Sequence, residues 1–289
     1  ACMFLQQLIN GLTIGTMYSL VAIGFSMVYG VLRMINFAHG ELFMMGAFFG
    51  LIIYRTGIGI VPTFIIAACL TSILGMLVER FAYRPIRRSE KSSALIGAVG
   101  VSIMLSHLAQ IIFGAEVQPF KFPVTVKTIG TITITDVQVY MLAITGVLMI
   151  GLFLFIKLTN VGIAMRATSH NAKNALLMGI NTNRIIAFTF AIGSLLACIG
   201  GILIGIYYDA VWPEMGLVYG IKAFAAAILG GIGNLMGAAV CGIIIGVFEI
   251  LGTAYISSGF RNGYAYGIMI LVLILKPAGL FGTDAREKV

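Results

Sequence analysis

Arg33-Met34-Ile35-Asn36-Phe37-Ala38-His39-Gly40-Glu41 lies inside an apolar block running from about Gly11 to Tyr54. Five polar or helix-interrupting residues are thus set where lipid-soluble side chains dominate. On insertion scales an ionisable side chain in lipid costs roughly 2.5–3.5 kcal/mol, so Arg33, His39 and Glu41 are expected to face protein or water. Non-helical backbone at that depth is tolerated only inside protein or along a water-filled cavity. A polar interruption between two apolar segments therefore reads as part of a solute pathway.

The rest of the composition agrees. Of 289 residues, 60% are apolar and 10% charged, and the mean hydropathy is +1.06. Soluble domains carry about 25% charged residues, so the expected fold is all-α and polytopic in a membrane, a single domain over 1–289. No Walker-type phosphate loop or dinucleotide fingerprint occurs; the Gly-rich runs lie within apolar spans and lack a following Lys-Ser/Thr. No cofactor is expected on this chain, and if transport is powered the motor lies elsewhere. The opening Ala1-Cys2-Met3-Phe4-Leu5 has no positive n-region, so no secretory signal is expected. Cys2, Cys69, Cys198 and Cys241 are scattered without metal-ligand spacing; no metal site is expected, and the cysteines read as small packing residues.

A crossing needs about 20 apolar residues. Candidate spans cover roughly 9–31, 35–54, 60–82, 94–113, 137–157, 185–208, 234–256 and 263–281, with a shorter apolar piece at 219–231. Eight or nine crossings follow, depending on whether that piece spans. The 79–91 loop carries Arg80, Arg84, Arg87, Arg88 and Lys91 against Glu79 and Glu90. The 157–184 loop carries Lys157, Arg166, Lys173 and Arg184 and no acid. The positive-inside rule puts both in the cytoplasm. Segments 114–136 and 209–219 are then outside, as is the N-terminus, and Lys276, Arg286 and Lys288 favour a cytoplasmic C-terminus. The net charge of +8 is thus a topology signal; no aromatic-interleaved basic surface points to nucleic acid. Within 117–135, alternating β-branched and polar residues around Gly130 predict a small extracytoplasmic hairpin, either a cap over helix ends or a docking surface.

Asn36 is placed to cap a helix beginning at Phe37, whose N-terminal N–H groups would carry partial positive charge where the backbone is irregular. Gly40 and Glu41 fall in its first turn. Lining of the pathway and internal pairing with Arg33 or a neighbouring helix are both open for His39 and Glu41. A second interruption, Gly230-Gly231-Ile232-Gly233-Asn234, sits in the other half of the chain. Paired interruptions of apolar segments point to a central site, and close backbone packing is the alternative. Small-xxx-small spacings at Gly11/Gly15, Gly46/Gly50, Gly201/Gly205 and Gly242/Gly246 let helices approach closely. Lys222 and Glu249 are charges at membrane depth that each need a partner or water, and pairing with each other is one way to meet that need. In the cytoplasmic loop, Ala172–Met178 predicts a short helix terminated by Gly179 in a left-handed turn. Its Leu176, Leu177 and Met178 beside basic residues suit either a partner's groove or the lipid surface.

These residues carry a family resemblance over nearly the whole chain, in order. Met27-Val28-Tyr29-Gly30-Val31-Leu32-Arg33-Met34-Ile35-Asn36-Phe37-Ala38-His39-Gly40-Glu41, Tyr83-Arg84-Pro85-Ile86-Arg87, Met178-Gly179-Ile180-Asn181-Thr182, and Lys222-Ala223-Phe224 with Leu229-Gly230-Gly231-Ile232-Gly233 resemble the branched-chain amino acid ABC permeases of bacteria. The resemblance implies one membrane subunit of a binding-protein-dependent importer in the inner membrane. Its implied partners are a second homologous permease, two cytoplasmic ATPases that use ATP and Mg, a periplasmic amino-acid-binding protein and membrane lipid. The 158–184 segment then corresponds to the part that couples to an ATPase, with Asn174, Ala175, Met178, Gly179, Asn181 and Arg184 as its candidate residues. Against the general importer pattern Glu-Ala-Ala-x-x-x-Gly, Ala175 and Gly179 match, while Lys173 and Asn174 replace the first two positions. Asn36, His39, Gly40, Glu41, Gly230, Gly231, Gly233 and Asn234 are the candidate pathway residues, for an alternating-access cycle carrying leucine, isoleucine or valine. A urea or short-amide permease and an ion-coupled secondary transporter remain the rival expectations.

Overall fold

The structure, a computed structural model, describes residues 2–87, 91–130, 132–276 and 278–282. In chain order it forms α1 (Cys2–Leu32), α2 (Ala38–Arg55) and α3 (Ile60–Val78), which continues through a π-turn (Glu79–Tyr83) into the single turn α4 (Arg84–Ile86). Then come α5 (Lys91–Phe113), strands β1 (Val126–Ile129) and β2 (Ile132–Thr135), α6 (Asp136–Leu158), α7 (Asn160–His170) and α8 (Ala172–Leu177). The chain ends with α9 (Thr182–Tyr208), α10 (Met215–Leu229), α11 (Leu235–Tyr255) and α12 (Arg261–Leu275).

Among the described residues, seven helical stretches are long and apolar enough to cross a membrane. The other two long segments are α2, 18 residues with a polar first turn, and α10, 15 residues. At about 1.5 Å per residue, α10 spans about 22 Å, less than a full hydrocarbon core of about 30 Å. Both are interior elements: α2 is buried from Ala38 to Phe48 and α10 packs on α1, α2 and α11. Protein neighbours, in place of lipid, accommodate the charges and shortness of these two helices. The outer helices α3, α5, α6 and α12 instead expose aliphatic side chains such as Ile65, Ile111, Val147 and Ile274.

The helix ends sort into two faces. At one, Gln6 Nε2 donates to the Thr133 carbonyl and Gln6 Oε1 accepts from Thr133 N–H, both at 2.9 Å. Arg55 Nη1 donates to Gln118 Oε1 at 2.8 Å, and Gln118 bridges backbone to backbone with Val211. The N-terminus, 114–136 and 209–214 therefore share a face, as the charge pattern anticipated. At the other, Arg33 Nη2 donates to the Ser169 carbonyl at 3.2 Å, and Leu280 N–H donates to the Leu229 carbonyl at 2.6 Å. The basic loops and the 278–282 segment gather there. The apolar piece expected at 219–231 thus falls largely within α10, which runs from one face to the other; this gives nine passes among the described residues and puts 278–282 on the basic face.

The anticipated hairpin is present but compact: Val126 pairs with Thr135 and Ile129 with Ile132, and Gly130 turns with φ +66°. Thr135 closes the second strand and caps α6. Its Oγ1 accepts from Gln138 N–H at 3.3 Å while Gln138 Oε1 accepts from Thr135 N–H at 3.0 Å, a reciprocal cap whose loss costs about 0.5–2 kcal/mol. Two expectations need correction. The 158–184 segment is mostly helical, because Thr159 caps an eleven-residue amphipathic α7 by accepting from Gly162 N–H at 3.0 Å. The last helix stops at Leu275 rather than near 281.

Small residues set the tightest packing. A Cβ on Gly15 would lie 2.7 Å from the Ile243 Cα, and one on Gly11 would lie 2.8 Å from the Val247 Cα. The Gly11/Gly15 and Gly242/Gly246 pairs thus face each other across α1 and α11, and Gly46 and Gly201 serve the α2–α9 contact in the same way.

Candidate functional site

Arg33, in the left-handed region at φ +58°, stops α1 and leaves its side chain exposed toward Ser169. It pairs with neither His39 nor Glu41, so pairing with Arg33 drops out as an account of those groups. Asn36 does not cap α2, contrary to expectation: the cap position falls on Phe37, with no side-chain cap bond. The reason is Tyr83, which the π-turn after α3 buries; its hydroxyl donates to Asn36 Oδ1 at 2.7 Å and draws the amide away from the helix end. His39, 1% exposed, lies over the bare face of Gly24, with Nε2 3.1 Å from the Val21 carbonyl and its ring edge-on to Phe25 at 5.7 Å. That bond assigns the Nε2–H tautomer.

Glu41 points the other way. Its Oε1 accepts from Ser102 of α5 at 3.0 Å, and Oε2 lies against Gly216 of α10, where a Cβ would sit 2.5 Å away. Gly40 packs on the backbone of Gly216 and Gly220. Beside Glu41 a small pocket of about 40 Å³ opens among Phe25, Phe37, Ser102, Gly220 and Phe224. Asn36 and His39 are buried but do not line it.

The second interruption lies at the other end of α10. Gly231 (φ +85°) and Gly233 (φ +91°) occupy left-handed conformations that favour glycine. Gly233 N–H donates to Ser26 Oγ at 3.0 Å, and Asn234 caps α11 by accepting from Gly237 N–H at 3.0 Å. Gly230 is close-packed on Gly237, and Gly231 on the backbone of Gly282. Gly231, Gly233 and Asn234 line a cleft of about 880 Å³ on the basic face, with Arg33, Lys157 and Arg166. The two interruptions therefore do not share one cavity. They flank α10, whose Phe224 contacts both Phe25 and Phe37, with ring centroids at 5.1 and 5.9 Å.

The remaining membrane-depth charges form a buried cluster. Glu249 Oε1 accepts from Lys222 Nζ at 2.8 Å and Arg261 Nε at 2.7 Å, and Oε2 accepts from the Tyr18 hydroxyl at 2.9 Å. Arg261 also donates to the Tyr208 hydroxyl. Lys222 and Glu249 are legible in the sequence as charges in need of partners; Arg261, Tyr18 and Tyr208 are not. Arg261 at the start of an apolar helix was the available signal.

On the basic face, Asn171 Oδ1 caps α8 by accepting from Lys173 and Asn174 N–H at 3.0 and 3.1 Å. Gly179, at φ +83°, ends it: Gly179 N–H donates to the Leu176 carbonyl and Ile180 N–H to that of Ala175, both at 3.0 Å. Asn181 then caps α9 by accepting from Arg184 N–H at 3.2 Å. Ala175 is buried and anchors the turn, while Asn174 is exposed and Leu177 and Met178 stand out at 85% and 81% exposure. The expected short helix and its glycine stop are therefore both present.

A family model described as "Branched-chain amino acid transport system / permease component" matches residues 7–276. The high-affinity branched-chain amino acid transport system permease protein LivH of Salmonella typhimurium is 40% identical over 99% of this chain and 98% of its own length. BraD of Pseudomonas aeruginosa, named as the corresponding permease, is 39% identical over the same shares. Among solved structures, PsaBC from Streptococcus pneumoniae in complex with Fab is similar in fold, with a TM-score of 0.53 at 12% identity over 94% of this chain and 91% of that one.

Proposed function

The chain belongs to the branched-chain amino acid transport system permease family, and from that premise we infer that it is the membrane-spanning permease subunit of an ABC importer for leucine, isoleucine and valine. The observation that carries this reading is full-length similarity at 40% identity to permeases named for that cargo. The finer assembly belongs to the same inference: a second homologous permease, two cytoplasmic ATPases using ATP and Mg, and a periplasmic binding protein in the inner membrane.

Three features of the chain support a mechanism of alternating access. Leu176, Leu177 and Met178 project from a capped, glycine-terminated helix on the basic face, as an element seated in an ATPase groove requires. A cleft on the same face, bordered by Arg166 and Ser169 of α7, leads to the second backbone interruption. The short interior α10 joins that interruption to the Glu41 pocket, so a shift of α10 against α1 and α2 opens one end as it closes the other. Apolar cargo side chains suit the aromatic and aliphatic walls, and the polar groups that line the two openings, Glu41 and Ser102 at one and Asn234 at the other, serve the charged ends.

The test is uptake of labelled leucine and labelled urea into liposomes holding the purified membrane complex, with its binding protein and either ATP or a non-hydrolysable analogue. Leucine accumulation that needs ATP hydrolysis and the binding protein is the expected result. Urea uptake in its place changes the cargo, and uptake abolished by a proton uncoupler with ATP maintained replaces the mechanism with ion coupling.

A further inference from the structure

Glu41 is 2% exposed, yet only one of its carboxylate oxygens has a hydrogen-bond partner: Oε1 accepts from Ser102, while Oε2 has none among the described residues. A buried acceptor left open costs about 1–3 kcal/mol, and more when charged. The carboxyl borders the pocket walled by Phe25, Phe37 and Phe224, the Ser102 hydroxyl and the bare backbone at Gly216 and Gly220. Among the described residues no Lys or Arg lines it. The first turns of α2 and α10, which carry Glu41 and Gly216, meet here, and their positive ends complement a carboxylate. One carboxyl oxygen without a partner, aromatic faces and no cation together select a compact positive group with several N–H donors.

We propose that this pocket is the subsite for the ammonium group of the amino-acid cargo, with the Glu41 carboxylate as its ion-pair partner. The proposal rests on the importer reading above and assigns it a recognition residue. A volume of about 40 Å³ admits an ammonium group and little more, so the pocket reads one end of the molecule. The branched side chain lies outside it. Gly216 has a specific part here: any side chain at that position would meet Oε2 and fill the space the ammonium needs.

The test is equilibrium binding of labelled leucine to the purified membrane complex without its binding protein. Competition uses two halves of the cargo: isoamylamine, which keeps the side chain and the ammonium, and 4-methylpentanoate, which keeps the side chain and the carboxylate. Both are expected to compete in the wild type. In Glu41→Gln, isoamylamine is expected to lose at least tenfold in potency while 4-methylpentanoate is unchanged. Gly216→Ala, which retains the carboxylate, is expected to show the same selective loss, and it carries the test if Glu41→Gln does not fold. Equal loss of both analogues in the variants, or isoamylamine competition indifferent to them, overturns the subsite. A wild-type complex that imports leucine with ATP but shows no isoamylamine competition also overturns it and leaves the importer standing. Absence of ATP-driven leucine uptake removes the importer reading itself.

Discussion

At Glu249, donors from three different helices converge on one fully buried carboxylate: Tyr18 from α1, Lys222 from α10 and Arg261 from α12. Removing the acid leaves Lys222, 2% exposed, without its counter-charge, and breaking a buried pair costs about 3–5 kcal/mol. Removing Lys222 leaves the Glu249–Arg261 pair intact. Glu249→Gln is therefore expected to lower the midpoint of thermal unfolding in detergent much more than Lys222→Met, and the reverse order would contradict the cluster as described. The sequence marks both residues as charges that need company. It allows the two to pair, as they do, but it does not mark Arg261 or Tyr18, because these lie on other helices and only tertiary packing brings them to Glu249. Asn36 shows the same limit. As a residue type it is a good cap, but a buried phenol 47 positions away claims its side chain.

Helices here are held by backbone approach as much as by side chains. Gly46 lets α2 lie against Cys198 of α9, whereas Gly100 in α5 has nothing within 4 Å of where a Cβ would stand. Gly46→Ala is thus expected to destabilise by about 1–3 kcal/mol through overpacking. Gly100→Ala is expected to be neutral or to stabilise by up to about 1 kcal/mol through helix propensity. Thermal unfolding of the two variants side by side checks the contrast. On the basic face, Gly179→Pro removes the N–H that donates to Leu176 and cannot adopt φ +83°. Transport is expected to be lost while the amount of inserted protein is unchanged, and normal uptake would sever α8 from coupling. The glycine stop and the short helix were legible because a positive-φ turn leaves a residue-level mark. So were most spans, which follow from long apolar runs. The amphipathic α7 was not, since its low hydrophobicity resembles a loop until Thr159 is seen to cap it.

For the molecule as a whole, the two faces fix a topology. The N-terminus shares a face with the β1–β2 hairpin, and residues 278–282 share the opposite face with the basic loops. Reporter fusions are expected to put the N-terminus outside and the C-terminus in the cytoplasm; finding both on one side would contradict nine passes. Charge asymmetry made the sorting of segments onto two faces readable in advance. The role of α10 was not readable, because 15 apolar residues fit a short pass as well as a re-entrant piece. The proposed transport cycle requires cargo to pass the Glu41 pocket as α10 shifts. The decisive measurement is the reactivity of a single thiol, Ser102→Cys in an otherwise cysteine-free complex, toward a small cationic thiol reagent. The rate is expected to change between the resting state and the state held by binding protein with a non-hydrolysable ATP analogue, and to fall when leucine is present. A rate identical in every state, with no protection by leucine, would place the pathway elsewhere.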